Sequence, residues 1–390
     1  MIYIHIPFCR SFCTYCDFYS EIAAKCRGKE EAIRQEDMFG KFADALVREI
    51  RLRADEITDD VNTLYIGGGT PSVLPLYVYE RILEELRSLG HGGPFDEFTV
   101  EVNPEDIVDK GVSYVEGLLE LGVNRISMGV QSFDDGILKF MNRRHDARTA
   151  CEAYAILEEA GVRNISIDLI FGLPQLSDSQ WQDTLDKALS ISPSGSLPQH
   201  ISSYQLSVEP GSMLAKLVER GKWSEASEEL CERQYGMLCE ALRKAGYHHY
   251  EISNFALPGH EARHNSAYWC HVPYAGFGPG AHSFIATGRN SEEQNFRRTW
   301  NNQNLNRYVD DPLSVRDGEE LTDGQMVMER IMLALRTSEG IDEGYLREHC
   351  SLQELEDAFA AGNLVKTGRG YVRIPEGRFF ISDSIITDII

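Results

Sequence analysis

Three cysteines near the start of the chain have a type and spacing suited to holding a metal centre. Cys9, Cys13 and Cys16 form a C-x3-C-x2-C pattern directly after a short apolar stretch. A short loop of this kind lets several thiolates converge on one iron–sulfur cluster. A four-iron cube has four irons to ligate, so three thiolates leave one iron open to an outside ligand.

Two other interpretations of the cysteine loop remain open. The thiols could form a structural zinc site completed by Cys26 or His5, or they could simply be buried. Single buried cysteines are common, but three in one short loop are not. Zinc sites usually combine two C-x2-C pairs, and this sequence has no second pair. We therefore favour an iron–sulfur cluster over zinc.

Polar and glycine residues follow several predicted strands. Gly67, Gly68, Gly69, Thr70 and Pro71 end the second strand, and glycines allow a ligand to approach the backbone closely. Later strand ends carry Glu101, Gln131 and Asp168, with Arg143 just beyond. Any one of these side chains could be a surface cap or half of an ion pair. Because the carboxyl ends of parallel strands share one rim, we expect a ligand pocket there, beside the cysteine loop.

A second concentration of candidate ligands lies in a histidine-rich segment. His260, His264, His271 and His282 occur there, and the first two stand four residues apart, on one face if the segment is helical. A chelated metal is conceivable, although the H-E-x-x-H order of zinc proteases is absent. The glycines at 276, 278 and 280 carry little weight as a dinucleotide motif without a strand before and a helix after.

The elements that position these residues alternate between strand and helix patterns. Strands are predicted at Tyr3–Ile6, Thr63–Ile66, Glu97–Val102, Arg125–Met128, Asn164–Ile170 and His200–Leu206, and helices at Gln35–Ile57, Leu76–Leu89, Val112–Leu121, Gly136–Met141, Ala147–Ala160, Asp178–Leu189 and Met213–Arg220. Helix-length connections imply parallel strands. Six units fall short of the eight in a closed barrel, so the fold class predicted is α/β, a partial (β/α)6 TIM-like barrel.

The remainder of the chain changes character twice. A long amphipathic helix is predicted at Ser224–Ala245, followed by the weakly periodic stretch Tyr247–Thr299. Helices are then predicted at Asp323–Arg336, Glu343–Glu348, Gln353–Ala361 and Ser382–Ile389, with Leu364–Ile374 and Arg378–Ile381 as a β-hairpin. This order favours a small C-terminal winged-helix-like α+β domain. The predicted domains are therefore 1–223, 224–310 and 311–390.

Composition excludes several classes of protein. The 390 residues include 38 Lys and Arg against 61 Asp and Glu, a net charge of −23, which disfavours nucleic-acid and anionic-membrane binding. Hydrophobic residues at 42% and charged residues at 25% are typical of a globular protein. No apolar run is long enough to span a membrane, and the start lacks a secretory signal pattern. We expect a cytoplasmic protein with neither a nucleic-acid partner nor a membrane span.

The string from Tyr3 to Phe18 resembles the signature of the radical S-adenosylmethionine enzymes. Over almost the whole chain, the sequence is similar to the oxygen-independent coproporphyrinogen III oxidase family and to its haem-chaperone branch, whose H-N-x-x-Y-W motif matches His264 to Trp269. The resemblance implies a [4Fe–4S] cluster on Cys9, Cys13 and Cys16. It also implies that the amino and carboxylate groups of S-adenosylmethionine bind the fourth iron.

The resemblance further implies a set of cofactor contacts. Gly68, Gly69 and Thr70 match the motif that cradles the amino end of S-adenosylmethionine. The other matching contacts are Tyr3, Glu101, Gln131, Arg143 and Asp168. Carboxylates suit ribose hydroxyls and the ammonium group, and an arginine suits a carboxylate. Tyr15 has two interpretations, packing on the adenine edge or packing within the loop.

The resemblance also implies haem binding by the H-N-x-x-Y-W motif. Its residues are His264, Asn265, Tyr268 and Trp269. His264 is the candidate iron ligand, since imidazole suits haem iron, and the two aromatic rings could lie against the porphyrin. Candidates for pairing with the haem propionates are Arg263, Arg297 and Arg298.

Two departures favour the chaperone branch over the oxidases. The oxidases carry a fourth cysteine where this chain has Phe18. They also have an N-terminal extension, whereas this sequence starts almost at its first predicted strand. The resemblance therefore predicts a chaperone that passes haem to acceptor haem proteins of the respiratory type, without coproporphyrinogen turnover and with no catalytic residue assigned. Two alternatives stay open: an oxidase that generates a 5′-deoxyadenosyl radical, and an iron–sulfur regulatory or interaction protein. A homodimer is also left open.

Overall fold

A computed structural model describes residues 1–23, 29–58, 60–287 and 295–390. The strands are β1 (Ile2–Ile6), β2 (Phe8–Cys9), β3 (Glu21–Ile22), β4 (Thr63–Gly68), β5 (Glu97–Val102), β6 (Arg125–Gln131), β7 (Ile165–Phe171), β8 (His200–Gln205), β9 (His248–Glu251), β10 (Asn254–Ala256), β11 (Ala275–Phe277), β12 (His282–Thr287), β13 (Asn295–Asn301), β14 (Arg316–Leu321), β15 (Ile341–Asp342), β16 (Val365–Lys366) and β17 (Tyr371–Arg373).

The helices connect these strands along the chain. They are α1 (Lys29–Leu52), α2 (Leu76–Ser88), α3 (Pro104–Glu120), α4 (Asp135–Phe140), α5 (Ala147–Glu159), α6 (Asp178–Leu189), α7 (Met213–Glu219), α8 (Glu228–Lys244), α9 (Arg263–Trp269), α10 (Leu305–Asp310), α11 (Asp323–Ala334), α12 (Glu343–His349), α13 (Leu352–Ala360) and α14 (Ser382–Ile389). None of those in the described part of the chain combines the length and apolar character needed to cross a bilayer.

A nine-stranded sheet forms the centre of the fold. Its order is β11-β1-β4-β5-β6-β7-β8-β10-β9, and the six strands from β1 to β8 in this order are parallel. The sheet does not close on itself, so the predicted partial barrel is confirmed. Its edges differ, because β11 is parallel to β1 whereas β10 is antiparallel to β8. Strands β9, β10 and β11 all come from the stretch in which the sequence showed little periodicity.

The strands of the barrel place apolar and polar side chains on opposite faces. On β6, Ile126, Met128 and Val130 are buried with the apolar core. The alternate residues Arg125 and Ser127, followed by Gly129 and Gln131, line a cavity inside the barrel. This alternation follows from the two-residue period of a strand. The interior of the barrel is therefore polar, which is unusual for a packed barrel core and marks a ligand site.

A buried carboxylate ties α1 to the segment that follows the barrel. Glu49 is fully buried and forms an ion pair with Arg53. It also accepts hydrogen bonds from the Tyr308 hydroxyl at 2.6 Å, the Asn301 amide nitrogen at 2.7 Å and the Gly278 N–H at 2.9 Å. The glycine loop at 276–280 thus has a structural role, in keeping with the low weight of a dinucleotide motif there.

The C-terminal part contains a three-stranded sheet among helices, and it corrects one expectation. The hairpin lies entirely within the predicted Leu364–Ile374 stretch, as β16 and β17, and β15 pairs with β17 as an unpredicted third strand. The predicted second arm at Arg378–Ile381 is instead part of a 3-10 helix, Glu376–Ile381. That turn buries Phe379, and Arg378 donates to the Asn363 side chain, so packing against the neighbouring helix end prevents an extended conformation.

Candidate functional site

A cavity of about 750 Å³ opens where the parallel strands end beside the cysteine loop. Eleven of the residues predicted from the sequence line it: Cys9, Cys13, Cys16, Gly68, Gly69, Thr70, Glu101, Gln131, Arg143, Asp168 and Asn265. Four do not: Tyr3, His264, Tyr268 and Trp269. The fold therefore brings the expected cluster and cofactor residues together and separates them from most of the haem motif.

The cysteine loop is fastened at its centre to two other segments. The Thr14 N–H donates to the Met141 carbonyl at 3.1 Å, and its hydroxyl donates to the Phe140 carbonyl at 3.2 Å. The Thr14 carbonyl in turn accepts from the Leu214 N–H at 2.8 Å, at the start of α7. Burial raises the pKa of Cys9 and raises that of Cys16 to about 12, so a bound cation would be needed to hold these thiols as thiolates.

The donor set fits a cluster better than a single ion. In the described ranges, no three His, Cys, Asp or Glu side chains are grouped tightly enough for one metal ion. The thiolates of an iron–sulfur cube bind different irons, so they do not need to meet at one point. His5 hydrogen-bonds through both ring nitrogens, to the Tyr3 hydroxyl and the Tyr19 carbonyl. Cys26, the other candidate zinc ligand, lies outside the described residues.

The glycine-rich end of β4 packs directly on the strand that leads into the cysteine loop. A Cβ on Gly68, whose φ is +105°, would lie 2.6 Å from the His5 ring. A Cβ on Gly69 would lie 2.7 Å from the Phe8 carbonyl oxygen. Because side chains are excluded there, the Gly69 and Thr70 N–H groups can donate to the Ile6 and Phe8 carbonyls. The same approach places the Thr70 hydroxyl 3.3 Å from the Cys9 sulfur.

Two carboxyl groups face the cavity from β5 and β7, the strands on either side of β6. Glu101 on β5 accepts from the Tyr65 hydroxyl at 2.7 Å and from the Gly68 N–H at 3.1 Å. Asp168 on β7 accepts from the Ser127 hydroxyl at 3.2 Å. Burial raises the pKa of Glu101 to about 7 and raises that of Asp168. Such carboxylates suit ligand hydroxyls or cations, which offset the cost of burial.

Arg143 links the carboxylate side of the cavity to the cysteine loop. Its Nη2 donates to Asn103 Oδ1 and to the Gly129 carbonyl, each at 2.7 Å, and its Nη1 lies 3.5 Å from the Cys13 sulfur. Nearby, Gln131 ends β6 with a φ of +67°, a strained conformation for a residue other than glycine that occurs often at functional sites. The geometry suits binding of an anionic group next to the cysteines.

Several cavity residues were not among those predicted. Tyr65, Arg125, Ser127, Ser202 and Tyr204 all line the cavity from the interior faces of β4, β6 and β8. Counting in steps of two back from Gln131 would have identified Ser127 and Arg125. Tyr3 follows the same interior pattern but does not line the cavity. Its ring packs beside that of Tyr65, a lining residue, with 6.1 Å between the ring centres.

The haem motif lies on α9, and its first residue is inaccessible. His264 is fully buried and hydrogen-bonds to the Thr63 hydroxyl at 2.8 Å and the Tyr268 hydroxyl at 3.0 Å. Burial lowers the pKa of His264 to about 3, so the imidazole is neutral. Only Asn265 reaches the cavity. Iron ligation by His264 stays a prediction, and it would require one of the two ring contacts to break.

The three candidate partners of haem propionates already face carboxylates. Arg263 lies 3.1 Å from Asp96, Arg297 lies 3.5 Å from Glu320, and Arg298 lies 2.6 Å from Glu329. All three pairs are at least partly exposed to solvent, so they contribute little to stability and can exchange partners. Propionate binding by these residues stays a prediction.

Comparison with known proteins gives consistent matches. Residues 3–188 match the model of the radical SAM superfamily. The chain is 34% identical to a heme chaperone HemW of Synechocystis sp. over 87% of this chain and 78% of the relative. It is 33% identical to a heme chaperone HemW of Bacillus subtilis, over 87% of this chain and 84% of the relative. The solved structure of coproporphyrinogen III oxidase (HemN) from Escherichia coli superposes on this chain with a TM-score of 0.77 and 21% sequence identity. The superposition covers 99% of this chain and 89% of that one, so the two proteins share a fold.

Proposed function

The chain belongs to the radical SAM superfamily and, within it, to the family of the heme chaperone HemW. From that premise we propose that it binds a [4Fe–4S] cluster, S-adenosylmethionine and haem. We further propose that it delivers the haem to acceptor proteins. One observation carries the cofactor part of this proposal. The three loop cysteines line the same cavity as Gly68, Gly69, Glu101, Arg143 and Asp168.

The proposal assigns a task to each wall of the cavity. Cys9, Cys13 and Cys16 would hold three irons, and the bound cluster would supply an open iron for the amino and carboxylate groups of S-adenosylmethionine. Glu101 and Asp168 would accept hydrogen bonds from its iron-bound amino group and from its ribose hydroxyls.

Arg143 has one N–H group that could donate a hydrogen bond to a ligand. Its Nε is buried and has no hydrogen-bond partner among the residues that the structure describes. A buried N–H without an acceptor is costly, and a ligand carboxylate would remove that cost. We assign Arg143 to the carboxylate of S-adenosylmethionine, where the guanidinium also balances the negative charge of the cysteine loop.

For haem, we propose contact with α9 through Asn265 and Trp269, with His264 and Tyr268 holding the helix against β4. Asn265 supports this assignment because it connects α9 to the cavity. Trp269 is only partly buried, so its ring is accessible to a flat apolar ligand. The hydrogen bond between the fully buried His264 and the partly buried Tyr268 supports a structural role for both.

Replacing His264 with alanine tests this division of roles. We expect the substitution to lower the free energy of unfolding by about 1–3 kcal/mol, because the Thr63 and Tyr268 hydroxyls lose a buried partner. We also expect the absorption spectrum of bound haem to stay unchanged. Urea unfolding and haem titration of the same preparation measure both quantities, with Asn265→Ala as the control that should weaken haem binding at unchanged stability. A shifted haem spectrum at unchanged stability would instead identify His264 as the iron ligand.

The assay that separates chaperone from oxidase uses the reconstituted protein without oxygen. With coproporphyrinogen III and S-adenosylmethionine, we expect no protoporphyrinogen, since Phe18 stands at the place of the oxidases' fourth cysteine and is 63% exposed. Haem added to the same sample should bind saturably and pass to an apo-haem protein. Formation of protoporphyrinogen would contradict the chaperone function, and absence of haem binding would favour the interaction protein.

Three finer features stay predictions. The resemblance implies acceptors of the respiratory type, which transfer assays with apo-forms of such proteins can test. Pairing of two chains is testable by measuring the molar mass in solution with and without haem. A cytoplasmic location is the third prediction, which fractionation of the cells that produce the protein can test.

A further inference from the structure

Arg125 is a buried cation with unused hydrogen-bond donors. It begins β6, is 1% exposed and lines the cavity. Its Nε and Nη2 are buried without a hydrogen-bond partner in the described chain. Burying a guanidinium without an acceptor is costly, so its charge must be balanced by other groups in the barrel interior.

Two carboxyl groups in the same cavity also lack a close countercharge. Within the described residues, neither Glu101 nor Asp168 has a lysine, arginine or histidine nitrogen within 4 Å in an ion pair. Their hydrogen bonds come from the neutral donors Tyr65, Gly68 and Ser127. Two like charges confined in one cavity oppose each other's ionisation.

Arg143, one of the other cations that line the cavity, makes its close contacts with other groups. Both Nη groups of Arg143 are committed to Asn103, Gly129 and Cys13. Arg125 lies on β6, the strand between those that carry Glu101 and Asp168. It stands two residues before Ser127, which pairs with Glu101 in the sheet and donates to Asp168.

We propose that Arg125 is a positioning residue whose positive charge keeps Glu101 and Asp168 ionised together, so that they can accept hydrogen bonds from S-adenosylmethionine and balance its sulfonium charge. This inference rests on the proposed function, because it takes the cofactor as the ligand of both carboxylates. Arg125 itself acts through the carboxylates and is not assigned a contact with the ligand.

The electrostatic surroundings of the two carboxyl groups agree with this role. Tyr65, Arg125 and Tyr204 interact electrostatically with both carboxyl groups, which also interact with each other. Tyr3 interacts in addition with Glu101, and Arg143 with Asp168. Burial raises the pKa of both carboxyl groups, whereas the charge of Arg125 lowers the pKa of both.

The direction of the pH dependence follows from these signs. With a pKa of about 7, Glu101 gains a proton as the pH falls through neutrality and then no longer attracts a cation. Affinity for S-adenosylmethionine should therefore fall below about pH 7. Loss of the Arg125 charge raises the pKa of Glu101 further, so the same fall should occur at a higher pH.

The test compares Arg125→Met with Arg125→Lys in the anaerobically reconstituted protein. We measure the affinity for S-adenosylmethionine by titration calorimetry from pH 6 to pH 9. Arg125→Met should move the midpoint of the pH profile upward by about one unit, which weakens binding roughly fivefold at pH 7, approaches tenfold at lower pH and restores it at high pH. Arg125→Lys should keep the midpoint of the parent protein. Arg163→Met, at an exposed position, is the matched control and should change nothing.

A second measurement does not depend on the ligand. Titration of carbon-13-labelled glutamate carboxyl groups by NMR should show one group with a raised pKa that is absent in Glu101→Gln and is raised further in Arg125→Met. Weaker binding at every pH with an unmoved midpoint would overturn the proposal, as would an unchanged NMR titration. If the parent protein fails to bind S-adenosylmethionine, the proposed function fails, while the NMR titration still decides the role of Arg125.

Discussion

Replacement of Cys9, Cys13 or Cys16 by serine is expected to remove the iron–sulfur cluster. A serine hydroxyl is a much poorer iron ligand than a thiolate, and each cysteine would hold its own iron. Iron and acid-labile sulfide, measured after anaerobic reconstitution, should fall from about four of each per chain to less than one. The visible absorption of the cluster should disappear with them.

The matched control is the same exchange at a cysteine outside the loop. Cys151 is exposed on α5 and does not line the cavity, so Cys151→Ser should retain the full iron content. A loop variant that keeps its cluster would contradict the assignment of that cysteine. Parent protein that purifies without oxygen yet contains zinc in place of iron would restore the zinc interpretation.

Substitution of Gly278 by alanine is expected to cause the largest loss of stability. Gly278 has a φ of +98°, and a Cβ there would overlap the backbone carbonyl oxygen of His5. Its N–H also donates to the buried Glu49 at 2.9 Å. Backbone strain and steric overlap together should lower the free energy of unfolding by about 3–5 kcal/mol. Urea unfolding followed by circular dichroism measures this loss.

Substitution of a second glycine separates the cost of backbone strain from the cost of steric overlap by the added Cβ. Gly161 has a similar φ of +94°, but a Cβ on it would meet no atom within 4 Å. Gly161→Ala should therefore cost only about 1–2 kcal/mol, the penalty of the left-handed backbone conformation. Equal losses in the two variants would show that β1 and the glycine loop can move apart, contrary to the packing described.

Much of the barrel could be predicted because its signals are local. The six parallel strands are buried runs bounded by turns, and the helices between them repeat apolar residues at helical spacing. Strands β9, β10 and β11 were missed because three or four residues are too few to show a two-residue period. They form only because the edges of the parallel sheet offer them hydrogen-bond partners.

The site was predicted where residue type alone is informative. The cysteines, the glycines and Asp168 are unusual residue types for the end of a buried strand, so the sequence alone identifies them. Arg125 and Tyr65 are ordinary strand residues, and only the curvature of the sheet places their side chains in the cavity. His264 shows a different limit. Its spacing from Tyr268 places the two side chains on one helix face, and they do make contact at 3.0 Å. The sequence could not tell that this face turns towards the core.

The hydrogen bonds of Thr14 have a mechanical consequence. One residue between two of the cysteines is held by the end of α4 on one side and by the start of α7 on the other. Displacing Leu214 must stretch or break its bond to Thr14, so a force applied at α7 is transmitted to the sulfur atoms. Any partner or cargo that shifts α7 would thereby alter the spacing of the thiols. If these thiols hold the proposed cluster, its colour and redox potential would change as well.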